Sequence, residues 1–219
     1  MIKAVIFDLD GTIANTISAI REGVNLTMEK YGYPQHTYDE ILSFINNGAR
    51  ELIRRAMPEE SRRDEELVTR VLADYDALYG TVYLHTDCPY EGIPEAVCAL
   101  RDMGMKIGVL SNKQDAFVKG LANQLLPAGS FVAAQGVIHG KPTKPDPYLS
   151  HLVANAMGVS PAECVMVGDS DVDIRTAANA GMTHVGVSWG YRNEEFLRTN
   201  GAKLIAHTPG ELLKIIENL

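Results

Sequence analysis

Ala4-Val5-Ile6-Phe7-Asp8-Leu9-Asp10-Gly11-Thr12 runs four apolar residues directly into two carboxylates, a glycine and a hydroxyl. A short apolar run of this kind predicts a buried strand of a parallel sheet. Open α/β sheets hold their ligands beyond the carboxyl ends of the strands, which is where the two acids fall. Residues two apart in a strand point to the same side, so Asp8 and Asp10 begin as neighbours. At about 4 Å and an effective dielectric near 20, their repulsion is roughly 4 kcal/mol. A cation, a shared proton or full solvation has to offset it. The plain alternative is a solvated loop after an edge strand. The chemically specific one is a divalent-metal site with a carboxylate nucleophile.

Downstream, the pattern turns helical. Ile17, Ile20, Val24, Met28 and Tyr31 recur at threes and fours. A second helix is expected over Thr37 to Phe44, and Asn46-Asn47-Gly48 is a turn signal. Ala49 to Met57 resumes helical spacing. The charged run from Pro58 to Glu66 reads as a solvated loop leading into a long helix with Leu67, Val71, Leu72, Tyr75 and Leu78. From Thr86-Asp87-Cys88 onward, strands and helices alternate. Strands are expected at Lys106–Leu110, Phe131–Ala134, Cys164–Val167, His184–Val187 and Leu204–Ile205. Helices are expected between them, one of them starting near Pro145. This alternation implies an α/β fold, a doubly wound parallel sheet with helices on both faces. Parallel strands need crossover partners, so the first strand belongs to the sheet formed after residue 86. The expected division is 1–14 with 86–219 as an α/β catalytic core, and 15–85 as an inserted all-helical cap, read as a lid over the strand ends.

Composition narrows the function. A 219-residue chain with 46% hydrophobic residues can build a sizeable core. A net charge of -8 disfavours nucleic acid as a nonspecific partner but not a small anion met by local cations. No stretch has the apolar length of a membrane span, and no basic, then apolar, leader precedes the first strand. Cys88, Cys98 and Cys164 form no C-x-x-C pair and read as free thiols of a reducing cytosol. The six histidines form no local metal-ligand pair.

Three further signals fall at strand ends. Ser111-Asn112 can present a hydroxyl and backbone N–H groups to phosphate oxygens, or simply cap a helix. In Lys141-Pro142-Thr143-Lys144-Pro145-Asp146-Pro147 the prolines stiffen the backbone around a lysine, and Lys144 is preferred to Lys141 because it abuts the expected helix start. A fixed ammonium there would neutralise carboxylates and a phosphate. In Gly168-Asp169-Ser170-Asp171-Val172-Asp173, Asp169 is a candidate metal ligand. Asp173 is divided between supporting that site and closing a capping box with Ser170.

Taken in order, apolar-run-D-x-D-G-T, strand-S-N, K-P-D-P and strand-G-D-x-x-x-D resemble the haloacid dehalogenase superfamily. Gly186-Val187-Ser188-Trp189-Gly190-Tyr191, Gly201-Ala202, Leu84-His85-Thr86 and Pro89-Tyr90-Glu91-Gly92 look like its phosphoglycolate phosphatase branch, with a small helical cap. The resemblance implies a Rossmann-like core and a Mg²⁺-dependent phosphatase acting through an aspartyl phosphate, with 2-phosphoglycolate the leading substrate. Asp8 would be the nucleophile, and Asp10 the acid and then the base. Mg²⁺ would be held by the Asp8 carboxylate, the Asp10 backbone carbonyl and Asp169. Thr12, Ser111, Lys144 and the backbone N–H of Asn112 would hold the transferring oxygens. Relatives often carry an acid and a serine where this chain has Asn15-Thr16, a departure that bears on the hinge into the cap. Arg50, at a turn opening a helix of the cap, can meet a carboxylate or a second phosphate, or stand as an exposed helix arginine.

The expected partner is a small phosphorylated metabolite in the cytoplasm, with no nucleic acid and no membrane. The alternatives are a sugar phosphomutase or an inorganic pyrophosphatase on the same scaffold. A receiver-like phosphate-binding module is a third, but it gives no reason for a cap or for Asp10-Gly11-Thr12.

Overall fold

The computed structural model describes residues 1–85 and 88–219. The expected change of pattern at Thr86-Asp87 therefore lies outside the described residues. The chain divides into two compact units, Met1–Asn15 with Cys88–Leu219, and Thr16–Asp87.

The first unit is an α/β sandwich. Its strands are β1 (Ala4–Phe7), β2 (Lys106–Gln114), β3 (Ala133–Val137), β4 (Cys164–Gly168), β5 (Thr183–Val187) and β6 (Leu204–Ala206). They form one parallel sheet in the order β3-β2-β1-β4-β5-β6. The chain winds outward from β1 to β3, then returns to the other side of β1 and winds outward again. The reversal lies between β1 and β4, where an open α/β sheet leaves a crevice at its carboxyl edge. Val5, Ile6 and Phe7 of β1 and Val165, Met166 and Val167 of β4 are fully buried, which is why both strands read as unbroken apolar runs.

In the second unit, α1 (Ile17–Lys30), α2 (Tyr38–Phe44), α3 (Gly48–Ala56) and α4 (Glu65–Val82) are all helical. Thr37 closes a capping box with Glu40 at the start of α2, and Asp64 caps α4. Ile17, Ile20, Val24 and Met28 bury one face of α1, as their spacing requires. The remaining helices belong to the first unit: α5 (Ile93–Asp102), α6 (Asp115–Leu125), α7 (Tyr148–Ala156), α8 (Asp171–Ala180), α9 (Glu194–Thr199) and α10 (Pro209–Glu217). Among the described residues, no helix is long and apolar enough to cross a membrane.

Among the described residues, three boundaries depart from the sequence expectation by more than one residue. The third strand is Ala133–Val137 rather than Phe131–Ala134, and Val132 is 57% exposed. Gly136 disguises the strand by composition, yet a side chain there would run into the Lys113 and Asp115 backbone. The helix expected near Pro145 starts at Tyr148. Lys144 thus sits in the loop before it, on a cis bond to Pro145. The strand expected to stop at Leu110 continues to Gln114, with a shift of register between those two residues.

Candidate active site

Beyond the carboxyl edge of β1 and β4 the chain gathers three buried aspartates around one buried lysine. Lys144 Nζ donates to Asp8 Oδ1 at 2.8 Å and to Asp173 Oδ1 at 2.7 Å. Asp8 follows β1, Asp173 lies in the first turn of α8, and Lys144 comes from the loop before α7. The loop is held by Asn112. Its Nδ2 donates to the Lys144 carbonyl and its Oδ1 accepts from the Lys144 N–H, both at 2.9 Å. Asn112 was expected to offer a backbone N–H to substrate; its side chain does something else, fixing the lysine.

Asp173 carries both of the roles between which its sequence context divided it. Oδ2 accepts from Ser170 Oγ at 2.5 Å and from the Ser170 N–H at 3.2 Å, completing the capping box. Its other oxygen is the one on Lys144.

Asp169, at the end of β4, is completely buried. Its Oδ2 accepts the Tyr191 N–H at 2.6 Å. Gly11 (φ +86°) and Gly190 close around this carboxylate; a Cβ on either would collide with it. Trp189 Nε1 donates to the Thr12 carbonyl at 3.1 Å, so the segment after β5 is pinned onto the segment after β1. The sequence singled out Gly186 to Tyr191 only by resemblance; the structure gives it the work of enclosing Asp169.

Asp10 does not share the Asp8 environment. Ser111 Oγ lies 3.3 Å from its Oδ2, and Lys113 Nζ lies 2.9 Å from its Oδ1. The repulsion anticipated between the two acids is met by giving each its own lysine. Lys113 was not singled out by the sequence; the signal that could have found it is its place two residues after Ser111 at the end of a core strand.

Burial pushes the Asp8 carboxyl well above the usual range, against the pull of Lys144, and Asp173 and Asp169 add to the rise. Burial, with Asp173 close by, raises Asp169 to about 7. Burial alone would lower Lys144; Asp173 and Asp8 outweigh it and hold the ammonium well above its ordinary value.

Asp8, Asp169 and Asp173 can each bring a carboxylate oxygen within 4.8 Å of the others, a grouping able to hold a metal ion. Three buried carboxylates against the one ammonium among them leave two negative charges unmatched when all are ionised. Hard oxygen donors with excess negative charge fit a hard divalent cation. Asp173 has both oxygens engaged by Lys144 and Ser170, which leaves Asp8 and Asp169 better placed to bind one. Thr12 Oγ1 is buried and lacks a hydrogen-bond partner, an unsatisfied hydroxyl that an incoming oxyanion can meet.

Arg50 lies in the helical unit on α3. Its guanidinium donates to Glu65 at 2.7 Å and to Thr69 at 3.1 Å. The aspartate–lysine cluster is assembled by the α/β unit's own residues.

Residues 2–181 match the profile of the haloacid dehalogenase-like hydrolases. The chain belongs to that family. A phosphoglycolate phosphatase of Thiobacillus denitrificans is 32% identical to it over 196 residues, covering 87% of this chain and 85% of the relative. One from Vibrio vulnificus is 28% identical over 219 residues, covering 98% and 96%. A crystal structure from Lactobacillus delbrueckii subsp. bulgaricus, of a protein proposed to be a phosphoglycolate phosphatase, superposes with a TM-score of 0.89 at 32% identity and covers 98% of each chain. By family and by relatives, the chain is an enzyme, a phosphoric monoester hydrolase.

Proposed function

We propose that the chain is a Mg²⁺-dependent phosphatase that cleaves a small phosphomonoester through an aspartyl phosphate on Asp8, and that its substrate is 2-phosphoglycolate. The observation that carries the reading is the buried lysine bridging Asp8 and Asp173 beside Asp169, at the point where the sheet reverses its winding. The names of the relatives support the choice of substrate. Three free cysteines support a reducing, cytosolic location.

In this reading Lys144 holds one Asp8 oxygen, so the carboxylate cannot swing away from phosphorus. Asp8 attacks, and the bond from phosphorus to the leaving oxygen breaks. Asp10 gives that oxygen a proton, then takes one from the water that opens the aspartyl phosphate. Thr12 Oγ1, Ser111 Oγ, the Asn112 N–H and the Lys144 ammonium meet the transferring oxygens. Asp8, Asp169 and the Asp10 backbone carbonyl would hold Mg²⁺, which when bound stabilises charge on the phosphoryl oxygens and offsets the acids' mutual repulsion. Arg50, in the helical unit, is held by Glu65 in an exposed pairing that costs little to break.

The test is a panel of 2-phosphoglycolate, a hexose phosphate and pyrophosphate, with and without a chelator. Steady release of inorganic phosphate, fastest from 2-phosphoglycolate and abolished by chelation, is expected. Asp8→Asn should lower turnover at least about a thousandfold while the protein stays folded. Isomerised sugar phosphate without free phosphate, or retained turnover in Asp8→Asn, overturns the reading.

A further inference from the structure

We propose that Lys113 determines specificity: its ammonium leaves Asp10 for a carboxylate on the leaving group of the substrate, which frees Asp10 for proton transfer. The inference rests on the reading above, in which Asp10 is acid and base.

The geometry begins at the shift of register in β2. Between Leu110 and Gln114 the ladder with β3 slips, so Ser111, Asn112 and Lys113 leave regular pairing at the carboxyl edge of the sheet. Irregularities of this kind re-aim side chains beside sites. Ser111 and Lys113, two apart, both lie on Asp10, with the lysine side chain 8% exposed and the aspartate 21%. Asp10 Oδ1 therefore faces an ammonium, and Oδ2 faces Ser111 Oγ. Both oxygens are occupied as acceptors. To give a proton to a leaving oxygen, one of them has to turn to the substrate, and the cation beside it needs another anion. A carboxylate next to the leaving oxygen supplies that anion. Released from the ammonium, Asp10 binds a proton from solvent, gives it to the leaving oxygen as the bond to phosphorus breaks, and regains one from the attacking water.

The two lysines of the site differ in a way that suits this division. Lys144 is clamped by two carboxylates, and its backbone is tied at both polar atoms to Asn112. The Lys113 side chain is 8% exposed against 3% for Lys144. A phosphomonoester without an anion on its leaving group would leave Lys113 on Asp10.

The experiment compares kcat/KM for 2-phosphoglycolate and for 2-hydroxyethyl phosphate, which carries an uncharged hydroxymethyl group in place of the carboxylate. Both are measured on one preparation, so loss of folded protein cancels in the ratio. Wild type should favour the carboxylated ester. Lys113→Met should lower that ratio about ten- to a hundredfold, the span of one charged hydrogen bond, and Lys113→Arg should recover part of it. A ratio unchanged in Lys113→Met overturns the proposal, even if both rates fall together, because Lys113 would then only position Asp10. Wild type hydrolysing both esters equally well overturns it too, and leaves the phosphatase reading standing. Wild type hydrolysing neither refutes that reading and this proposal with it.

Discussion

The α/β unit and the helical unit both pair acids with bases at nearly the same distances, yet the pairs mean different things. In the α/β unit, Lys144 sits 2.8 Å from Asp8 and 2.7 Å from Asp173 with its side chain 3% exposed. In the helical unit, Glu65 lies 2.7 Å from Arg50 and 2.8 Å from Arg54 but is itself 63% exposed. Water screens the second set, so breaking it returns three ions to good solvent. Removing the buried cation strands two carboxylates where solvent does not reach them. Separation does not tell the two apart; the surrounding medium does.

Lys144→Met is the sharpest way to break this contrast. It keeps much of the stem and deletes the charge. Stability in chemical denaturation should fall by about 3–5 kcal/mol, the usual cost of stranding a buried ion-pair partner, and activity should disappear. The loss should shrink at acid pH, where the Asp8 carboxyl, raised by burial, becomes neutral. A variant as stable as wild type at neutral pH would show that the buried pairs are no different from the surface ones.

A smaller effect should follow from Asp169, whose carboxyl is raised to about 7 by burial and by Asp173. A carboxyl raised on folding binds its proton more tightly in the native chain than in the unfolded one. Its contribution to stability is therefore complete below about pH 4, the unfolded value, and is lost as pH rises through about 7. The thermal midpoint of chelator-treated protein should drop between pH 5 and pH 8, and Mg²⁺ added at pH 8 should restore it. Flat, metal-indifferent melting across that range would count against a charged cluster awaiting a cation.

The smallest effect is expected in the helical unit. Glu65, held at about 2 by hydrogen bonds from Arg54 and Arg50, is solvated. Glu65→Gln should move the thermal midpoint by no more than about two degrees. A larger drop would mean that these arginines are organised beyond what exposed pairs provide.

Much of the site was legible because its residues stand at the ends of apolar runs. Asp8 and Asp169 each follow a core strand and Ser111 lies near the carboxyl end of another, and the alternation of strands and helices implies the parallel sheet that aligns those ends. Lys144 was found through the prolines around it, although the helix it was thought to abut starts at Tyr148. Lys113 is less legible, because a lysine at a strand end has the look of a solvated terminus. Its place two residues after Ser111 puts both on Asp10. Phe131 and Val132 looked like a strand by propensity; the ladder instead uses Ala133 to Val137, where Gly136 makes room for the backbone of Lys113 and Asp115.

The amino-acid sequence alone determined the elements and the chemistry carried at their ends, because strand and helix periodicities and capping residues are local properties of the chain. It could not determine which lysine meets which acid. Asp8 and Lys144 are 136 residues apart, and Ser111 and Asp10 are 101 apart. Such meetings depend on the order in which the strands assemble and on two glycines thin enough to close around Asp169. Tertiary structure decided those, because the energy of a buried charge is set by whatever the fold brings beside it.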